Sequence, residues 1–374
     1  MPSSRSRNEL RRIVVKIGSN IIASSHEGLD TTMIDRISGD ISIIASEGND
    51  VVVVSSGAVA AGMKKLGMKT KPTDIRFKQA AAAVGQSSLM WAYEKAFAGN
   101  GKKVAQVLLT REDFADRKKY INAKNTLMTL LSYGIIPVIN ENDTVTTDEI
   151  KFGDNDNLAS LVSIMIEAEH LFILSDVDGL YEDDPRSNPH AEFISYVEEI
   201  TPSIEQLAGN AGSGVGTGGM YSKVLAAKKA TSHGIAVNII NGKKPGLLIP
   251  TVKGQHYGTC FKPREDRISQ RKGWIAYSSR SKGSVILDEG AVSAVRDGGK
   301  SLLPSGIVSF EGTFEVGDSV YCISVKGKRI AKGLINYSST DLKKIMGRKT
   351  SEIEELLGFK YSDEAIHRDN LVLV

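Results

Sequence analysis

Five short aliphatic runs constrain this chain more than any other feature. Residues 13–17, 51–54, 104–109, 135–139 and 171–174 are nearly unbroken stretches rich in Ile, Val and Leu. A strand with one wet face alternates apolar and polar residues. A run that stays apolar suits a strand covered on both faces, as in a parallel sheet. Between the runs lie segments with helical spacing, at residues 33–45, 76–97, 123–131, 158–166 and 220–231. Repeated strand–helix alternation predicts an α/β fold, a three-layer αβα sandwich around a mainly parallel open sheet. Such sheets bind ligands beyond the carboxyl ends of their strands, which says where a site belongs.

The alternation stops near residue 260. Residues 262–272 are polar and charge-rich, and read as a linker. Strand-like pieces at 283–287, 306–310, 319–325 and 329–335 follow, with helical spacing at 340–345 and 351–357. They predict a small, mostly β domain of about 100 residues. The expected division is 1–261, a linker at 262–272, and 273–374.

Charged residues make up 24% of the chain and the formal net charge is +3. That balance gives no argument from electrostatics alone for a nucleic-acid or membrane partner. The segment from Gly273 onward has no basic stripe, so RNA is not its expected ligand. Cys260 and Cys322 are the two cysteines, in no metal-ligand spacing, and read as reduced thiols. The basic start of the chain is followed by an apolar run broken by Lys16, which is not a signal peptide. No window approaches the ~20 apolar residues of a membrane span. A cytoplasmic protein is expected.

Chemistry should sit at the strand ends. The first run leads into Lys16-Ile17-Gly18-Ser19-Asn20. A lysine in a buried strand is costly unless its charge is used, and the turn after it offers N–H groups to an anion. Lys16 snorkelling out of the strand is the plainer alternative. The second run leads into Ser55-Ser56-Gly57-Ala58, an anion-friendly turn or simply a serine-capped helix. Asn140-Glu141-Asn142-Asp143 and Gly153-Asp154-Asn155-Asp156-Asn157 are two polar clusters. They suit binding an ammonium group, orienting lysines or meeting Mg²⁺, although such residues are also common in turns. The fifth run ends in Ser175-Asp176, and Tyr181 beyond it either lines a base pocket or packs in its loop.

The strongest single feature is the stretch from Gly212 to Lys223, with five glycines ahead of a helix. Glycines there allow backbone N–H groups to converge on phosphate oxygens, and the helix start adds its positive end. Gly214, Gly216 and Gly219 also spell G-x-G-x-x-G. A dinucleotide fingerprint should follow a strand and carry an acidic residue about 20 positions on. Here residues 203–207 look helical and residues 238–241 are not acidic. A Walker A loop is absent too: Gly299-Lys300-Ser301 has Ala294 where the first glycine would stand. The stretch is read as a phosphate site, and transfer of a phosphoryl group from a nucleotide to a small anion is the expected activity.

Taken in order, these segments resemble the amino acid kinase family. The resemblance is carried by V-V-K-I-G-S-N near the start, V-S-S-G-A-V-A-A-G at 54–62, K-Q-A-A-A-A-V-G-Q at 78–86 and L-L-T-R-E-D at 108–113. It continues through P-V-I-N-E-N-D at 137–143, K-F-G-D-N-D-N-L at 151–158, D-P-R-S-N-P at 184–189, G-T-G-G-M-Y-S-K at 216–223 and I-H-R-D near the end. The C-terminal part resembles a PUA domain. The resemblance implies ATP and Mg²⁺ as cofactors and the γ-carboxylate of L-glutamate as phosphoryl acceptor, at the opening of proline biosynthesis. It implies proline as an inhibitor and a homo-oligomer, dimer or tetramer. Lys16 and Lys223 match the two phosphate-binding lysines. Gly18, Thr217, Gly218, Gly219, Met220, Tyr221 and Ser222 match the phosphate loops, and Ser175 and Asp176 the nucleotide site. Ser56, Asp143 and Asn155 match the acceptor site, with Asp154 beside them. Asp156, or the neighbouring Asp154, matches the aspartate that organises both lysines. Asn20 and Ser222 stand where the family often has a hydroxyl residue and threonine, and neither is expected to touch the lysines or carboxylates. The rival readings are a kinase of the same fold acting on acetylglutamate, aspartate, carbamate or a nucleoside monophosphate, a non-catalytic nucleotide-binding module, and RNA binding.

Overall fold

The computed structural model describes residues 11–24, 28–70, 72–145, 155–185, 187–210, 219–264, 275 and 281–374. The chain divides into two compact units. One comprises Met1–Asp113 with Lys119–Arg267, the other Phe114–Lys118 with Ile268–Val374.

Among the described residues of the first unit, eight strands form one sheet. They are β1 (Arg12–Ile17), β2 (Asp50–Ser55), β3 (Val104–Leu109), β4 (Ile136–Glu141), β5 (His170–Ser175), β6 (Tyr196–Val197), β7 (Ala236–Asn241) and β8 (Thr259–Phe261). Their order across the sheet is β6-β8-β7-β5-β1-β2-β4-β3. Every neighbouring pair is parallel except β7 with β8. The predicted parallel α/β sheet is therefore present. All five aliphatic runs are strands, and β6, β7 and β8 are strands that the runs did not announce.

The helices that matter for the site are α1 (Ser19–Ile22), α2 (Thr31–Ser46), α3 (Ala58–Lys65), α4 (Ile75–Gly99), α5 (Asn155–Met165) and α6 (Met220–Thr231). Helix α2 starts where Asp30 accepts a hydrogen bond from the Met33 amide at 2.9 Å, a cap of the kind worth about 1 kcal/mol. Its Ile34, Ile37, Ile41 and Ile44 recur at helical spacing and bury against one face of the sheet. Ile13, Val15 and Ile17 of β1 join that core, with Tyr93 and Phe97 of α4. Because strand side chains alternate, Lys16 projects from the opposite face.

In the second unit, the described strands Ser281–Leu287 (β9), Ile307–Gly312 (β10), Ser319–Ser324 (β11), Arg329–Leu334 (β12) and Leu371–Leu373 (β13) form a sheet in the order β10-β9-β11-β12-β13. It is antiparallel except for β9 with β11. Val285, Val320, Cys322, Phe314, Tyr337 and Leu342 are part of its own core. The small mostly β domain is present, with one helix, Glu289–Arg296, that its polar sequence had not suggested.

Candidate active site

Strands β5, β1, β2 and β4 are neighbours, and their carboxyl ends gather the polar side chains. Lys16 lies in β1 and is only 5% exposed; Lys223, in the first turn of α6, is 6% exposed. Both reach Asp156 in the first turn of α5, which is fully buried. Lys16 Nζ lies 2.5 Å from Asp156 Oδ1, and Lys223 Nζ lies 3.1 Å from Oδ2. Ser222 Oγ donates to Oδ2 at 2.9 Å. Burial alone would push this carboxyl up, but Lys16, Lys223 and the Ser222 hydroxyl outweigh it and hold it well below the usual range. A carboxylate in a helix's first turn gains further from the helix dipole. Two ammonium groups share one carboxylate, which leaves the trio with a formal charge of +1 in a buried place. Such a place favours an anion. Lys16 therefore does not snorkel away, and of the two candidate aspartates Asp156 is the one seen on both lysines; Asp154 lies outside the described residues.

The expectation that Asn20 and Ser222 stay clear of the charged groups is wrong. Ser222 bonds Asp156, and Asn20 Nδ2 donates to Asp176 Oδ2 at 3.1 Å. Ser222 keeps a hydroxyl at the same distance from the backbone as threonine, whereas Asn20 donates from one atom further out than a serine or threonine hydroxyl would. Burial pushes the Asp176 carboxyl up, but Asn20, its own backbone amide, Lys243 and Lys223 together bring it below the ordinary value. Ser175, next to it, is buried. Gly18 also differs from expectation. Its amide does not face an open nest, because it already donates to the Leu174 carbonyl at 3.2 Å, tying β1 to β5. Gly219 precedes α6, and Met220 and Tyr221 open it. Thr217 and Gly218, with the glycines from 212 to 216, lie outside the described residues. Tyr181 packs edge-on against Phe193, with ring centroids 5.1 Å apart.

The acceptor side is built from β2, β4 and α5. The turn after β2 needs Gly57, whose φ of 105° is left-handed and costly for any residue with a Cβ. Helix α3 carries no side-chain cap, so Ser56 does not cap it. Instead Ser56 Oγ accepts from Asn155 Nδ2 at 2.7 Å. Asn155 also donates to the Ser55 carbonyl at 2.8 Å and to Asn140 Oδ1 at 3.0 Å. Asp143, in the loop after β4, is part-buried; burial raises its carboxyl above the usual value while Lys78 pulls it back.

Two polar residues, Gln86 and Tyr93, escape a reading of the sequence. Asn140 Nδ2 donates to Gln86 Oε1 at 2.8 Å, and Tyr93 shares a 2.8 Å bond with Ser55 Oγ. Ser55 Oγ itself donates to the Ser56 carbonyl at 3.1 Å, which leaves Tyr93 as the donor to Ser55. Burial pushes the Tyr93 phenol far above its usual range, so it stays a donor. Asn140 stood in a noted polar cluster. Gln86 and Tyr93 sit on a helix distant in sequence, and a polar residue recurring on the packed side of α4 is the only sign of them.

Residues 11–241 match the amino acid kinase family and residues 283–357 the PUA domain. The chain is 52% identical over 366 residues to the glutamate 5-kinase of Syntrophotalea carbinolica, covering 98% of each. It is 49% identical over 367 residues to that of Geobacter sulfurreducens, again covering 98% of each. With the glutamate 5-kinase of Thermoanaerobacter sp. it shares 49% over 363 residues, covering 97% of this chain and 98% of the relative. Among solved structures, the UMP kinase of Bacillus anthracis aligns with 68% of this chain at 15% identity and a TM-score of 0.47, too loosely to bear on the site. With the family matched across more than half the chain and relatives matched along nearly all of it, this chain belongs to the amino acid kinase family.

Proposed function

We propose that this chain uses ATP to phosphorylate the γ-carboxylate of L-glutamate, giving γ-glutamyl 5-phosphate and opening proline biosynthesis. The observation that carries the reading is the Lys16–Asp156–Lys223 trio, two ammonium groups on one buried carboxylate. The acceptor, a carboxylic acid of pKa about 4.3, is already ionised at neutral pH, so no general base is needed. What opposes the reaction is charge. Two unit charges 4 Å apart repel by about 1 kcal/mol in water and by several times that in a partly buried site. Lys16 and Lys223 meet that charge as it builds on the transferring group, and Asp156 keeps both aimed at one place beforehand. A γ-carboxylate oxygen attacks the γ-phosphorus in line; its bond to phosphorus forms as the bond to ADP breaks, and no proton moves.

On this reading Ser56, Asn155 and Asp143 hold the glutamate, and Ser175, Asp176 and the start of α6 hold the nucleotide. Among the described residues no three His, Cys, Asp or Glu are grouped to hold a metal. Mg²⁺ usually reaches such sites on the nucleotide's phosphates and keeps several waters; bound there, it would neutralise charge on the phosphates. Proline competing at or near the glutamate subsite, a dimer or tetramer, action in the cytoplasm and a domain division at 261 and 273 complete the proposal. A proline-dependent rise in the glutamate KM checks the first of these, and its absence removes it.

Hydroxylamine traps acyl phosphates. With ATP and glutamate the chain should yield the γ-hydroxamate, and with aspartate or acetylglutamate far less. No hydroxamate from glutamate, alongside ATP consumption with another acid or a nucleoside monophosphate, overturns the proposal.

A further inference from the structure

A file of amides runs inward from the acceptor side of the site, and its polarity is fixed by backbone groups at two points. The Ser55 carbonyl can only accept, and it accepts from Asn155 Nδ2. The Glu141 amide can only donate, and it donates to Asn140 Oδ1 at 2.9 Å. Asn155 Nδ2 has two hydrogens and three acceptors around it: the Ser55 carbonyl, Ser56 Oγ and Asn140 Oδ1. What Asn155 can still offer is Oδ1, an acceptor. Ser56 Oγ accepts from Asn155, so it keeps its proton to donate. With Asn140 Oδ1 turned toward Asn155 and Glu141, Asn140 Nδ2 must face away, and there it donates to Gln86 Oε1 at 2.8 Å.

We infer that Gln86 is a positioning residue that steadies the acceptor site in the hydrogen-bond polarity that these backbone groups dictate. By accepting from Asn140 it holds Asn140, and through it Asn155, in the orientation that places an amide acceptor beside a hydroxyl donor. That pairing complements an ammonium group and a carboxylate oxygen carried on one carbon, the head of an α-amino acid. Gln86 can be held this firmly because its neighbour Gly85 brings α4 against α3. A Cβ on Gly85 would stand 1.8 Å from the Ala58 carbonyl oxygen. The inference deepens the glutamate kinase reading and rests on it.

Gln86→Glu keeps an acceptor at the end of the side chain, and Gln86→Met keeps the length without one. The full chain carrying each change is assayed for hydroxamate, with glutamate and ATP varied in turn. Gln86→Met strands a buried donor and should raise the glutamate KM about tenfold, with the ATP KM within about twofold. Gln86→Glu should hold the glutamate KM within about threefold of the unchanged chain, as expected when the acceptor survives. A Gln86→Met chain with an unchanged glutamate KM overturns the inference. So do two variants shifted alike, or a Gln86→Met change that raises both KM values together. Wild-type turnover of glutamate tests the activity itself, so the activity and the role of Gln86 can fail separately.

Discussion

Asp143 illustrates how one residue's surroundings become a measurable property. Burial raises its carboxyl above the ordinary aspartate value, and Lys78 offsets only part of this. If Asp143 receives the ammonium group of glutamate, it must be ionised to do so. Protonation as pH falls then weakens glutamate binding, and the raised pKa makes this begin at a higher pH than an ordinary aspartate would. The glutamate KM should rise on acidification in the unchanged chain. In Asp143→Asn it should be high throughout and rise only where the substrate's own γ-carboxylate, pKa about 4.3, takes up a proton. Matching pH profiles in the two would remove Asp143 from the substrate site. Much at this scale was legible in the sequence. Lys16 stood out because a charge in an aliphatic run demands a use, and Lys223 and Asp156 because each lies in a polar cluster at a helix start. Gln86 and Tyr93 were not legible, since their partners Asn140 and Ser55 are brought to them only by tertiary packing. The reach of Asn20 and Ser222 to carboxylates was hidden for the same reason.

Helices α3 and α4 set the frame that carries the acceptor site. They approach so closely that a Cβ on Gly62 would stand 1.7 Å from the Ala81 carbonyl oxygen, and Gly85 is as tight against Ala58. Glycine here serves contact between backbones, not a special φ. Gly85→Ala forces the helices apart and should cost about 1–3 kcal/mol or more, the usual range for overpacking. A urea midpoint lowered accordingly checks this, and an unchanged midpoint contradicts the close packing. The same displacement should carry Gln86 away from Asn140 and raise the glutamate KM. Elements with strong periodicity were readable from sequence: the strands of the aliphatic runs, the isoleucine face of α2 and the start of α6 after Gly219. Strand β7 escaped because Asn238 interrupts its apolar run, and β8 because three residues leave too little pattern. The small-residue contact of α3 with α4 was invisible as well, because alanine and glycine carry no periodic hydrophobic signal of their own.

Among the described residues, one hydrophobic cluster packs against a face of the eight-stranded sheet and another lies inside the five-stranded sheet. The chain divides into two compact units, so heat unfolding should depart from a single two-state step. Calorimetry should give an enthalpy larger than the van't Hoff value from the same transition; equal values would mean one cooperative unit. Cys322 offers a marker for the second core. It is fully buried, and burial pushes its thiol up to about 12, so it should resist alkylation until that unit opens. The two-domain outline was readable from the change of pattern near residue 260, because alternating aliphatic runs and short, glycine-broken strands leave different signatures.

Phosphoryl transfer by charge neutralisation is the central claim, and it stands on Lys16 and Lys223 meeting at Asp156. The most direct measurement is kcat for Lys16→Ala and for Lys223→Ala, at saturating ATP and glutamate, with thermal melting followed in parallel. Each change should lower kcat by about a hundredfold or more, the scale seen when one preorganised donor to a developing charge is removed. The melting curve should still show a folded protein. A folded variant of either lysine that turns over at nearly the normal rate would contradict the account.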